Sequence, residues 1–120
     1  MFKILENELG EVTVTPEVVE TIAGLSAMDC YGLVGMVPHG IQDGIGNILK
    51  LDSVRRGVEV STSDEGLMVE MYCIVGYGVK ISEVGANIIQ TVSYTLEKNA
   101  GIPVKNVNIN IEGIRVMTDK

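Results

Sequence analysis

Strict apolar/polar alternation marks both ends of this chain, and helical spacing of apolar residues appears twice between them. Val12 and Val14 alternate with Glu11 and Thr13, which predicts a short strand with one buried face. Thr15-Pro16-Glu17 then opens a helix. The Thr hydroxyl can cap free amides, Pro suits the first helical position, and Glu17 complements the positive end of the helix dipole. Val18, Ile22 and Leu25 follow as its apolar stripe, widened by Val19 and Ala23. Gly24, Ser26 and Ala27 are small and predict close packing against that helix.

The middle of the chain is less regular. Residues 30–37 read as a short buried strand kinked by glycine and ended by Pro38-His39-Gly40. Ile41, Ile45 and Leu49 suggest a short amphipathic helix, weakened by Gly44 and Gly46. Val58 and Val60 predict a strand, Ser63-Asp64-Glu65-Gly66 a hairpin turn with Gly66 at positive φ, and residues 67–75 a long return strand. That strand reads as central, since neither of its faces is fully polar.

The second helix carries Ile81, Val84, Ile88, Val92 and Leu96 on one stripe, with Ser82 as its expected cap and Asn99-Ala100-Gly101 and Pro103 as its stop. The last strand turns Val107, Ile109 and Ile111 inward and Asn108, Asn110 and Glu112 outward. Ile114 and Val116 have the opposite parity, so a bulge or bend is expected at Gly113. The order implies an α+β fold: a two-layer, mostly antiparallel sheet with two main amphipathic helices on one face. Residues 1–120 are read as a single domain.

Composition sharpens this picture. Apolar residues make up 46% of the chain, which excludes a disordered segment, and one Phe, four Tyr and no Trp make the core aliphatic. A net charge of −7 argues against nucleic acid and anionic lipid as partners, because both select Lys/Arg clusters. Arg55-Arg56 is the only adjacent basic pair. Cys30 and Cys73 are too few and too far apart for a metal knuckle or a redox pair, and fit reduced thiols in a cytoplasmic protein. The first eight residues are too short and acidic for a signal peptide, and no apolar run reaches the roughly 20 residues that span a bilayer. Direct membrane insertion is therefore not expected.

Few residues suggest chemistry. His39 is the single histidine, so neither a His-based triad nor a two-His metal site can be assembled. Asp29, Asp43 and Asp52 flank the glycine-rich segment without the spacing of a calcium loop, and read as caps and turns. Gly32-Leu33-Val34-Gly35 matches the G-x-x-G clamp of KH-type RNA-binding modules only superficially, because Leu-Val fills the middle and a buried strand explains it better. No catalytic, metal-binding or cofactor-binding residue is assigned. The polar strand positions Glu59, Glu70, Tyr72, Asn108, Asn110 and Glu112, with Ser61, would share one sheet face if the hairpin and the last strand are neighbours. That face is either simply solvated or a protein-docking surface anchored by Tyr72.

The runs Gly10-x-Val12-x-Val14-x-x-Glu17-Val18-Val19-x-x-Ile22-Ala23, Tyr77-Gly78-x-Lys80-Ile81-Ser82-Glu83-Val84 and Val107-Asn108-Ile109-x-Ile111-x-Gly113-Ile114 resemble the bacterial alkaline shock protein family of envelope stress response proteins. Residues 29–36 resemble its small branch, often encoded beside a dihydroxyacetone-kinase-like fatty acid kinase subunit. The resemblance implies a cytoplasmic, mostly Gram-positive protein tied to envelope homeostasis or lipid metabolism. In that family some members are held at the membrane by a separate integral-membrane partner, and no catalytic residues carry over.

The expected function is thus a non-enzymatic interaction or regulatory protein without a cofactor. Its expected partners are other proteins, among them a membrane-anchored protein, a fatty-acid-kinase-like protein, or a second copy of itself. The alternative is a binder of an acyl or lipid-derived metabolite, held in a pocket lined by Cys30, Tyr31, Gly32, Gly35 and His39. A KH-like nucleic-acid binder comes third.

Overall fold

The computed structural model of this chain describes residues 2–37 and 57–116. Strands β1 (Phe2–Asn7) and β2 (Gly10–Val14) form an antiparallel hairpin, followed by helix α1 (Pro16–Met28) and strand β3 (Leu33–Met36). Strands β4 (Val58–Ser63) and β5 (Gly66–Gly76), helix α2 (Ile81–Thr95), a π turn (Leu96–Ala100) and strand β6 (Val104–Arg115) complete the order. The α+β class expected from the sequence is the one observed.

β5 organises the main sheet. β4 pairs antiparallel with its first half and β3 antiparallel with its second half, so the two lie end to end along one edge. The seam falls at Tyr72, whose N–H donates to the Gly57 carbonyl at 2.9 Å and whose own carbonyl accepts from the Val37 N–H at 3.0 Å. β6 takes the other edge and runs parallel to β5. A parallel neighbour is what a helical crossover delivers: α2 carries the chain back along the sheet, and β6 restarts at the end where β5 began.

Both helices cover the same sheet face. Leu67, Val69, Met71, Cys73 and Val75 of β5 are fully buried there, packed with Val19, Ala23 and Ala27 of α1 and with Val84, Ile88, Val92 and Leu96. Burying each Val, Leu, Ile or Met side chain among them contributes about 1.5–3 kcal/mol.

On α1 the buried stripe is rotated from the expected one. Val19, Ala23, Gly24 and Ala27 face inward, while Val18 and Leu25 remain 43% and 48% exposed. Small side chains let the helix approach its neighbours closely, so the inward face is the alanine face rather than the one with the largest residues. Thr15 caps α1 as expected, its Oγ1 accepting from the Val18 N–H at 3.3 Å. Asp29 is its C-cap, with its N–H donating to the Ser26 carbonyl. Asp43 and Asp52 lie outside the described residues, as does the expected helix around Ile45.

Three further local features differ from or extend the sequence reading. Ser82 does not cap α2: Lys80 holds the N-cap position without a side-chain bond, and Glu83 supplies the negative charge in the first turn. The helix stop is the expected one, with Gly101 at φ 72° and its N–H donating to the Leu96 carbonyl at 3.1 Å. The bulge near Gly113 is present as a register shift that leaves Glu112 unmatched, and a second shift occurs at Lys105.

Gly66 shows why a turn residue can be fixed by packing as well as by φ. Its φ is +133°, and a Cβ there would stand 2.6 Å from the Pro103 carbonyl oxygen, the same atom that accepts the Leu67 N–H at 2.9 Å. Gly78 also has positive φ, +100°, but faces open space. Gly66→Ala should therefore destabilise the chain by about 2–4 kcal/mol in urea unfolding, and Gly78→Ala by only about 1–2 kcal/mol. Equal losses at the two positions would contradict the close approach of the β4–β5 turn to Pro103.

Candidate functional site

The outer face of the sheet, opposite the helices, gathers the six polar positions singled out in the sequence. Pairing aligns Glu59 of β4 with Glu70 of β5, and Glu70 with Asn108 of β6. Tyr72 stands one step along β5, beside Asn110. Two carboxylates opposite each other on neighbouring strands repel. Here the repulsion is managed by amides on β6: Asn108 Nδ2 donates to Glu70 Oε2 at 2.6 Å and Asn110 Nδ2 to Glu70 Oε1 at 2.9 Å. Asn110 Nδ2 also donates to the Met71 carbonyl at 3.2 Å, which fixes its own orientation.

The two amide bonds hold the Glu70 carboxyl below its ordinary pKa of 4.5, outweighing the opposing effect of partial burial. Tyr72 moves the other way. Partial burial and then the negative charges of Glu59, Glu70 and Glu112 keep its phenol neutral beyond its ordinary value of 10.0, and its hydroxyl donates to Glu59 Oε1 at 3.5 Å. The outer face is thus a neutral phenol ringed by three carboxylates, on a strand bonded along both edges. A shallow depression of about 280 Å³ beside it is lined by Glu59, Ser61, Glu70, Asn106 and Asn108 among others. Asn106 was not singled out in the sequence. Its Oδ1 is buried and accepts no hydrogen bond among the described residues.

Of the five residues proposed for a small-ligand pocket, four lie among the described residues. Cys30 is buried, its thiol reaching the Ser26 carbonyl at 3.8 Å. Tyr31 is 83% exposed and borders an open groove with Gly78, Lys80, Glu83 and Asn87. Gly32 packs on α2, where a Cβ would stand 2.8 Å from Val84 Cγ2. Gly35 lies within β3, pairing with Ile74, so the G-x-x-G stretch is mainly strand. His39 lies outside the described residues.

Both cysteines are free thiols. Burial pushes the Cys73 thiol up to about 12, and its Sγ contacts Met36 Sδ at 3.8 Å. A thiol so placed is almost wholly protonated at neutral pH and a poor nucleophile.

A second surface feature was missed in the sequence. The outer edge of β6 pairs with no described strand. Beside it runs an open groove of about 640 Å³, bordered on the helix side by Ile81, Gly85, Ala86 and Ile89. Gly85 within an otherwise apolar helical pattern was the available signal.

Comparison with known proteins decides the kinship. The alkaline shock protein 23 family, described by a cell envelope-related function, matches residues 4–116. This chain belongs to that family. It is 42% identical over 113 residues to the uncharacterized protein YloU of Bacillus subtilis strain 168, covering 93% of this chain and 94% of that one. It is 35% identical over 109 residues to the uncharacterized protein Spy1614 of Streptococcus pyogenes serotype M6, covering 90% of each. The uncharacterized protein YqhY of Bacillus subtilis is 31% identical over 116 residues, covering 94% of this chain and 83% of that one. No solved structure matches. No described helix is long and apolar enough to cross a membrane.

Two outcomes test the site geometry. Because the folded pKa of Glu70 is depressed, its contribution to stability is complete above pH 4.5 and is lost as pH falls through the folded value. In the Asn108→Ala/Asn110→Ala variant, NMR titration of the Glu70 carboxyl should move back towards 4.5. The stability gap between this variant and the natural chain should narrow as pH drops below 4.5. An unchanged Glu70 titration would show that the amides do not set its charge. Separately, iodoacetamide at pH 7 should leave Cys73 unmodified in the folded chain and alkylate it only on unfolding; rapid native labelling would contradict its burial.

Proposed function

We propose that this chain is a non-enzymatic docking and regulatory protein of cell-envelope homeostasis, acting in the cytoplasm through the outer face of its sheet. One observation carries the reading: Glu70 is held charged by Asn108 and Asn110 beside a neutral Tyr72 that also feels Glu59 and Glu112. The carboxylates select a cationic partner surface and the phenol offers an aromatic anchor. A segment bearing Arg or Lys satisfies both. The family's envelope-related function supports a partner that is itself membrane-anchored, with a fatty-acid-kinase-like protein as the alternative. On this reading the protein reaches the membrane periphery through that partner.

The test is site-specific photo-crosslinking from Ser61, an exposed position on the same face, in the native host. A discrete adduct with a different protein should form and should disappear in a Glu70→Lys background. Affinity of the purified pair should fall about tenfold or more in that variant, and also weaken with added salt. Adducts that persist unchanged in Glu70→Lys, or crosslinks to this chain alone, would overturn the reading.

A further inference from the structure

The β1–β2 hairpin forms a two-stranded sheet of its own, and Phe2, Ile4 and Val14 pack its base against the core. Its register sorts the side chains by character. Phe2 opposes Val14 and Leu5 opposes Val12 on one face, while Lys3 opposes Thr13 and Glu6 opposes Glu11 on the other. The first apolar rung meets the core. On the second, Leu5 and Val12 are 54% and 45% exposed.

Leu9, at the turn beyond them, is 97% exposed. A single exposed apolar side chain needs no explanation, but this position selects against one. Asn7 pairs with Gly10, so Glu8 and Leu9 are the two turn residues. Turns of that length favour Asn, Asp and Gly for their backbone freedom, and nothing in the geometry calls for leucine. The tip is also held in place, since Asn7 Oδ1 accepts the Leu9 N–H at 2.8 Å. An aliphatic group is thus carried in a fixed position on an ordered arm.

Charge decides what such an arm can meet. Within residues 2–14 three carboxylates, Glu6, Glu8 and Glu11, stand against one ammonium, Lys3. Lys3 Nζ lies 3.0 Å from Glu6 Oε1 and 3.5 Å from Glu11 Oε1, so one cation is shared by two anions on the polar face. Glu8 adds its charge beside Leu9. A second copy of this chain, at net charge −7, repels that tip, and so does an anionic lipid surface.

We propose that the β1–β2 hairpin is a docking arm that inserts Leu9 into an apolar pocket on a different protein, whose Lys/Arg-lined rim closes on Glu8 and Glu11. Leu5 and Val12 continue the contact along the apolar face. Three aliphatic side chains make a small interface, so the complex is transient and its affinity falls with salt. This inference does not rest on the outer-face docking reading, and the two surfaces share no residue.

The test starts from the full chain carrying a diazirine analogue of leucine at position 9, irradiated in the native host. A discrete adduct with a different protein should form, and that protein is then purified and titrated with this chain. Leu9→Ser should raise Kd about tenfold or more, and Glu8→Lys about three- to fivefold, with both melting temperatures unchanged. Added salt should weaken binding of the natural chain more than that of Glu8→Lys.

The absence of an adduct, or an adduct with this chain alone, would overturn the proposal. So would a Leu9→Ser affinity within about twofold of the natural one, or a fall in melting temperature that showed Leu9 to act within the fold. Flotation of the natural chain with phosphatidylcholine vesicles, lost in Leu9→Ser, would make lipid the occupant and overturn it too. Leu9→Ser leaves the outer face intact and Glu70→Lys leaves the hairpin intact, so the two readings fail separately.

Discussion

Backbone pairing along both edges of β5 is the constraint from which the other elements take their positions. Its inner side chains, Leu67 to Val75, stand at 0% exposure, so any shift of register by one residue would exchange five buried apolar groups for Met68, Glu70, Tyr72 and Ile74. That cost fixes β4 and β3 along one edge and β6 along the other. The helices follow, since they must cover the apolar face that the register defines. The polar groups of the outer face are arranged by the same register: Glu70 reaches Asn108 and Asn110 only because β6 is parallel and aligned as it is.

The polar side of β5 is therefore as specified as its core. Paired carboxylates across β4 and β5 would weaken the sheet if both faced each other undirected. The β6 amides draw Glu70 away, and Tyr72 donates to Glu59. The result is an acidic, hydrogen-bonded surface that stays charged at neutral pH.

Much of this was legible in the amino-acid pattern. Alternation in residues 67–75 and 107–111 identified the central strand and its outward polar set, and Thr15-Pro16 located the start of α1. What could not be read was set by tertiary choices. Alternation at Glu11–Val14 gave no sign that residues 2–7 fold back on it as β1, because Ile4 is a bulge that breaks the strand's own periodicity. The stripe of α1 was misplaced because close packing favoured Ala23 and Ala27 over Val18 and Leu25. That β6 lies outermost among the described strands is invisible in sequence, since nothing local sets the order of strands in a sheet. Recognition of the family came from combined order rather than from any chemical motif, and it brought no site residues with it.

Native-state hydrogen exchange followed residue by residue tests the central role of β5 most directly. If β5 anchors both sheet faces, its amides from Leu67 to Val75 should exchange only through global unfolding, with protection matching the free energy from denaturant melts. The β1–β2 hairpin, paired on one edge and largely exposed, should exchange through local opening at lower free energy. Protection of β5 no greater than that of β1 and β2 would contradict the account.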